Sequence, residues 1–403
     1  MLLVASFLFM FCCNKLDKID ESSIKFRTLN PSDTGINFKN KLTYNTKVNI
    51  IEYLYYYNGG GVAVGDINND GLEDIYFSGN QVSDRLYLNL GNLKFQDITP
   101  TSGIKTDNSW SNGVSFEDVN NDGYLDIYVC KVGPLSPKGT HNLLYINNKN
   151  MTFTESSSQL GLNFSGFSTH STFLDYDKDG DLDMYLMNHA IHTVRSYGSS
   201  KKRNETDELS GDKFFENRLN EKEKKFIDVT KESKIYNSPL GYGLALTTTD
   251  FNNDGWLDIY VGNDFHENDY LYLNNKDKTF TESIKNSMSH TSHFTMGVDV
   301  ADLNQDGKLD VFTTDMMPYD PKIFLKSGGE DEDQVSRIKK EFGFEPQLAR
   351  NHFHLNRGDG SFSEIALLTK MLNILLIILT KKATVFQRLL FYHVVLNLLK
   401  MKL

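Results

Sequence analysis

Short runs in which apolar and polar residues alternate recur along most of the chain, each bounded by Asn, Asp and Gly. Val62 and Val64 begin the first unit, Ile75-Tyr76-Phe77 continues it, Arg85-Leu86-Tyr87-Leu88-Asn89 alternates again, and Lys94 to Thr99 closes it. A period of two sends successive side chains to opposite faces of an extended strand, so each unit predicts four short strands. Later units agree: Leu143-Leu144-Tyr145-Ile146-Asn147 with Phe153-Thr154-Glu155, and Leu271-Tyr272-Leu273-Asn274 with Phe280-Thr281-Glu282.

Between the first two strands of each unit lies a nine-residue loop with oxygen-bearing side chains at positions 1, 3, 5 and 9 and Gly at 6. The first holds Asp66, Asn68, Asp70, Leu72 and Asp74 at positions 1, 3, 5, 7 and 9. The second holds Asp118, Asn120, Asp122, Tyr124 and Asp126; the third holds Asp175, Asp177, Asp179, Asp181 and Asp183. The fourth holds Asp250, Asn252, Asp254, Trp256 and Asp258; the fifth holds Asp302, Asn304, Asp306, Lys308 and Asp310. A hard divalent cation takes six to eight oxygens at short range, and a glycine lets the loop curl enough to present them. Position 7 varies freely because only its backbone carbonyl is expected to bind. Asp, Asn and Gly also make ordinary turns, but turn chemistry does not explain five copies in one register, so about five Ca2+ sites are expected. An EF-hand needs a Glu at position 12 and flanking helices. Position 12 here is Phe77, Val129, Leu186, Val261 or Thr313 and the flanks alternate like strands, so each loop closes a hairpin.

The first aspartates of successive loops are 52, 57, 75 and 52 residues apart. Four strands repeated at a period near 50 predict an all-β fold, a β-propeller whose four-stranded blades stack on their neighbours. The 403 residues suit one such stacked array better than one ordinary core. Net charge is −11, and sixteen of the Asp carboxylates occupy loop ligand positions, so five Ca2+ would nearly cancel the excess. This acidity argues against nucleic acid as a partner.

The residue eight before four of the loops is aromatic: Trp110, Phe167, Tyr242 and Phe294. Tyr242-Gly243 resembles the Phe-Gly of the FG-GAP repeat, and Gly79-Asn80 and Gly262-Asn263 resemble its second half. The pattern is similar to the FG-GAP or VCBS-type repeats of integrin α-subunit propellers. The stretch from Tyr57 to Asp66 most resembles the cartilage-acidic-protein-like branch of bacterial surface proteins. The resemblance runs from about Ile24 to Ala366. It implies about seven blades in the full fold, of which five are recognisable here, with calcium in the first hairpin of each and a binding role. The aromatics are expected to pack between blades, although a sugar platform is a second reading.

Outside the repeats, Met1 to Phe11 is almost wholly apolar and ends in Cys12-Cys13. This reads as a secretion signal with Cys12 or Cys13 as lipid-attachment site, hence an outer-membrane or cell-surface lipoprotein. Cys130 is expected in the core. The boundaries expected are 1–13 for the signal, 14–45 for a linker with a closing strand near Ile24 to Leu29, 46–366 for the propeller, and 367–403 for a tail. The tail has six Lys or Arg and no Asp, Glu, Gly or Pro. It reads as a frameshifted or truncated end, with a basic membrane or partner helix as the other reading. Two insertions, Asn188 to Asp212 and Asp315 to Arg350, are candidate partner-contact loops, the second with a helix over Val335 to Phe342. His189, His192, His290 and His293 are expected to be exposed loop residues.

Three functions compete. The first is a calcium-stabilised, non-enzymatic surface propeller that binds an extracellular protein or glycan. The second is a polysaccharide-processing enzyme or accessory protein with its site in the channel, for which Glu117 and Asp299 are the unassigned carboxylates; hydrolysis needs two facing each other. The third is a truncated gene product without function.

Overall fold

A computed structural model describes residues 27–136, 138–192, 198–316, 321–324 and 333–366. Cys12, Cys13, residues 24–26 of the expected closing strand and the tail from Leu367 lie outside these residues.

Five four-stranded antiparallel sheets follow one another along the chain, each with its strands in sequence order. Blade 1 consists of Val62–Gly65, Asp74–Phe77, Arg85–Asn89 and Phe95–Asp97; blade 2 of Ser111–Glu117, Asp126–Lys131, Leu143–Asn147 and Phe153–Glu155. Blade 3 consists of Ser168–Leu174, Asp183–Asn188, Lys213–Asn217 and Phe226–Asp228; blade 4 of Gly243–Thr249, Asp258–Asn263, Tyr270–Asn274 and Phe280–Glu282. Blade 5 consists of Thr295–Ala301, Asp310–Asp315, His352–Asn356 and Phe362–Glu364. The first strands of successive blades lie side by side, which makes them the inner strands of a propeller arc. Every loop expected to bind calcium connects an inner strand to the second strand of its blade, as in Gly65 paired with Asp74.

Alternation along the second strands explains why the blades stack. Ile127 and Val129 join Tyr76 and Leu86 in a cluster between blades 1 and 2. Their neighbours Tyr128 and Cys130 point the other way and join Phe173 and Leu186 between blades 2 and 3. Blade 3 repeats the division, since Met184 and Leu186 face blade 2 while Tyr185 and Met187 face blade 4. A fourth cluster, with Tyr260, Leu271, Val298 and Val311, fills the seam between blades 4 and 5. The apolar core is thus divided among the seams, and no blade buries its faces alone. Cys130 is fully buried, as expected of a core residue.

A second device repeats at the outer rim. Each of blades 1 and 2 leaves its outer strand through a one-turn helix, Thr99–Ser102 or Ser157–Leu160, followed by a glycine with positive φ, Gly103 or Gly161. A Cβ on those glycines would stand 2.5 and 2.6 Å from the carbonyl oxygens of Phe153 and Phe226, on the outer strands of the next blades. Pro31–Thr34 and Gly35 form the same turn ahead of blade 1, with Phe95 O at 2.3 Å from the equivalent point. The expected exit turn at Thr34-Gly35-Ile36 is therefore present, while residues 27–30 form no strand.

The insertions depart from expectation. Asn188 to Asp212 is not simply a surface loop: its 3-10 turn Ser200–Asn204 docks on the second insertion, where Ser200 N donates to Phe342 O at 2.9 Å. Arg203 in that turn pairs with the buried Glu267 of blade 4 and lies over the Phe344 ring. The second insertion contains the helix Asp333–Glu341 and the strand Gln347–Leu348, which pairs in parallel with Thr291–Ser292. His189 and His293 are buried rather than exposed, and His192 and His290 are partly buried. His189 is covered because Tyr53, from the segment before blade 1, reaches across to it, with Tyr53 Oη 3.0 Å from His189 Nε2.

Candidate metal centre

The five loops share one backbone conformation. Position 4 is left-handed in each (Asn69, Asn121, Lys178, Asn253 and Gln305, φ 55 to 63°), and the glycine at position 6 has φ 84 to 93°. Two left-handed residues within three positions curl the chain back on itself. The left-handed position 4 was not anticipated, although Asn in three of the five copies is its signal.

Within this curl the acidic side chains are held by loop N–H groups. In the first loop Asp66 accepts from Asp70 N at 3.1 Å and Gly71 N at 2.7 Å, and Asp70 accepts from Leu72 N at 2.8 Å. The second, fourth and fifth loops repeat these bonds, with Gly123 N, Gly255 N and Gly307 N donating to Asp118, Asp250 and Asp302 at 2.7, 2.6 and 2.9 Å. Position 7 donates its N–H to position 5 in every copy, including Tyr124, Asp181, Trp256 and Lys308. Position 9 is fixed at both oxygens: Asp126 accepts from Val119 N at 3.2 Å and from Asn147 N, on the third strand, at 2.8 Å. Asp74, Asp183, Asp258 and Asp310 are held by the matching pair of N–H groups, the second from Asn89, Asn217, Asn274 and Asn356. Asn68, Asn120, Asn252 and Asn304 fill position 3 in four loops, and in each the side-chain oxygen accepts from the position-5 N–H at 3.0 to 3.3 Å.

The third loop differs, and there the geometry most resembles a cation site. Oxygens of Asp175, Asp177 and Asp183 lie within 4.8 Å of one another. Asp175 Oδ1 and Asp181 Oδ1 are buried without a hydrogen-bond partner. Asp179 Oδ1 holds Asp181 N at 3.1 Å. A lysine, Lys278, reaches Asp177 at 2.7 Å and also pairs with Glu216, supplying part of the neutralising charge. Converging carboxylates with orphaned oxygens fit an all-oxygen divalent site, so the residues present suit calcium. Lysines also flank position 5 elsewhere: Lys149 stands 3.5 Å from Asp122, Lys276 3.2 Å from Asp254 and Lys308 3.1 Å from Asp306.

Burial pushes the position-9 carboxyls up from their ordinary range, helped by neighbouring carboxylates. Asp74 rises to about 6, Asp126 and Asp258 to about 7, Asp183 to about 9, and Asp310 in the same direction. Asp181 rises to about 7, first through burial and then through Asp179, Asp177 and Asp175. Concentrated, partly desolvated negative charge is what a divalent cation relieves.

The aromatics ahead of the loops mark the other end of the inner strands. Trp110, Phe167, Tyr242 and Phe294 each bridge backbone-to-backbone with the preceding blade, at Asn80, Val132, His189 and Asp264. Trp110 and Tyr242 are buried around Tyr53, Tyr55 and Tyr56, so they pack between blades and against this plug instead of presenting a sugar platform. Glu117 and Asp299 lie on the inner strands of blades 2 and 5, with blades 3 and 4 between them. Burial raises both carboxyls, Glu117 to about 7.

Fold and loops together define a β-propeller-type protein, two stretches of which match FG-GAP-like repeats. The FG-GAP-like repeat model matches residues 66–129 and 250–313, the loops and second strands of blades 1 and 2 and of blades 4 and 5. Cartilage acidic protein 1 of Xenopus tropicalis is 27% identical over 210 residues, 51% of this chain and 29% of that protein. The chain thus aligns with less than a third of the length of that relative. Among solved structures, an Agrocybe aegerita lectin described as recognising non-reducing terminal N-acetylglucosamine is 15% identical, with TM-score 0.40 over 75% of this chain and 64% of the lectin. The V. cholerae biofilm matrix protein Bap1 is 16% identical, with TM-score 0.30 over 64% of this chain and 35% of that one. No helix among the described residues is long and apolar enough to cross a membrane.

Proposed function

We propose that this chain is a calcium-binding, non-enzymatic propeller that binds an extracellular protein or glycan at the face opposite its calcium loops. The observation that carries the binding reading is the union of the two insertions. Both leave the ends of second strands remote from the loops, and they join through Ser200 and Phe342. Their surface exposes Ile191, Leu209, Met316 and Ile323, and the helix Asp333–Glu341 adds Val335 and Ile338, with Phe342 just beyond it. Val335, Ile338 and Phe342 follow at spacings of three and four, so they share one helix face. Rigid scaffolds commonly carry recognition on such loops, and an exposed apolar stripe favours a protein partner over a glycan.

Calcium in this reading is structural. The carboxylates of positions 1, 3, 5 and 9 would hold it, and its charge would fix the hairpins that support the inner strands. The third loop, with Asp175, Asp177, Asp181 and Asp183, supports this most directly. Attachment to a membrane through lipid on Cys12 or Cys13 completes the proposal. Replacing both by Ser should move the protein from the detergent phase to the aqueous phase.

The binding proposal is tested by presenting the calcium-loaded protein to arrays of extracellular proteins and of glycans, with product analysis of each glycan. Saturable binding that the Ile338→Asp change abolishes is expected. Release of shortened glycans would instead establish the enzymatic reading.

A further inference from the structure

The seam between blades 4 and 5 holds three histidines that the loops, the core and the binding face leave unexplained. His352 and His354 lie two apart on the third strand of blade 5, so both project from one face, and both are buried. His290, on the segment leaving blade 4, packs against both: ring centroids are 5.1 Å apart for His290 and His352, 6.2 Å for His290 and His354, and 5.4 Å for His352 and His354.

The preceding seam shows what these positions ordinarily hold. Tyr236 leaves blade 3 as His290 leaves blade 4, and it packs on Tyr270 and Tyr272 at 5.4 and 6.1 Å, with 5.7 Å between those two. Those hydroxyls are used: Tyr270 Oη donates to Glu267 at 2.8 Å, and Tyr272 Oη accepts from Tyr236 N at 3.3 Å. The imidazoles that replace the phenols are not so placed. His290 Nε2, His352 Nδ1, His352 Nε2 and His354 Nδ1 are all buried without a hydrogen-bond partner. Leaving a buried polar atom unpaired is costly, so a packing role alone is served better by the aromatic residues of blade 4.

We propose that His290, His352 and His354 form a binding site for one divalent transition metal ion of the zinc class. His354 Nε2 lies 3.1 Å from the His290 carbonyl oxygen and donates to it, which leaves the Nδ1 lone pair for a ligand. Such a bond from the second ring nitrogen to a backbone carbonyl is the usual orienting contact of a metal-binding histidine. Glu364 Oε2 stands 3.8 Å from His290 Nε2 and is held by Arg350 at 2.9 Å, so a carboxylate borders the trio with its charge already offset. As the rings stand, the nitrogens do not meet at a point; among the described residues only Asp175, Asp177 and Asp183 already converge within 4.8 Å. Zinc–imidazole bonds of about 2.0–2.1 Å would require these rings to turn toward one another. An imidazole donor set selects zinc, cobalt, nickel or copper over the calcium of the acidic loops.

The test uses the full chain in excess calcium, which saturates oxygen-only sites, and titrates it with Co2+. One equivalent should bind with the visible absorption bands of nitrogen-ligated cobalt, and Zn2+ should displace it. The H352Y/H354Y variant restores the blade 4 residues at these two positions, so it should keep the wild-type melting temperature and calcium content while Co2+ affinity falls at least tenfold. H290Q, changed on the most exposed of the three, serves if the double variant does not fold, and should weaken Co2+ similarly. Absence of the cobalt bands in wild type, or equal uptake by a folded variant, overturns the proposal and leaves bridging water as the partner of these nitrogens.

Discussion

The side-chain amide of Asn147, on the third strand of blade 2, donates to the carbonyl of Ile67, inside the acidic loop of blade 1, at 2.8 Å. The same bond joins Asn217 to Val119, Asn274 to Tyr176 and Asn356 to Phe251, at 3.1, 2.8 and 2.8 Å. Each of these asparagines also donates its backbone N–H to the position-9 aspartate of its own blade. One residue type thereby ties the loops of adjacent blades together.

Replacing Asn274 by Ala should destabilise the protein by about 2–3 kcal/mol. The change leaves the buried Tyr176 carbonyl and the partly buried Leu257 carbonyl without their amide donor. Urea denaturation with calcium present measures it, and an unchanged midpoint would show that the inter-blade bond contributes nothing.

Chelation should lower the melting temperature, with calcium restoring it more than magnesium, which demands stricter octahedral geometry. The Asp175→Asn variant separates the ligand role from the fold. Asp175 Oδ1 has no hydrogen-bond partner, so its loss should remove about one bound calcium. It should also leave the chelated protein as stable as wild type or more so, because it removes charge from a cluster within 4.8 Å. Equal calcium content in the two proteins would exclude a site there.

Asp212 predicts a pH dependence away from the loops. Its buried carboxyl accepts from Tyr185 Oη at 2.6 Å and Asn188 N at 2.7 Å, and burial raises it to about 7. A raised carboxyl binds more protons in the folded state, so its contribution is full below about pH 4 and is lost as pH climbs to about 7. The whole effect is on the order of 4 kcal/mol. Asp212→Asn resembles the protonated acid and should flatten the fall in stability between pH 4 and 7. An unaltered pH profile in that variant counts against the shift.

Cys130 should resist thiol reagents in the folded protein and react on unfolding. Burial removes access and pushes the thiol up to about 12, so little thiolate forms at neutral pH. In a chain with Cys12 and Cys13 changed to Ser, labelling should count no thiol in buffer and one in denaturant. Fast native labelling would mean that the seam between blades 2 and 3 opens readily.

Strands, turns and acidic loops were legible in the sequence because each is written within about ten residues. Alternation at a period of two, Gly at position 6 and the spacing of aspartates are local properties, and five copies identify them. What lay beyond reach is contact across a seam. Asn147 stood out as a strand residue, but nothing local indicated that its amide reaches Ile67, 80 residues earlier. His189 reads as an exposed loop residue until Tyr53, 136 residues before it, covers the ring. His290 lies 64 residues before His354 and meets it and His352 only because the exit segment of one blade packs on the third strand of the next. Local sequence determined the blade, since backbone geometry and turn chemistry act over a few residues. Stacking decided which polar groups were buried together, because that depends on the neighbouring blade, one period or more away along the chain.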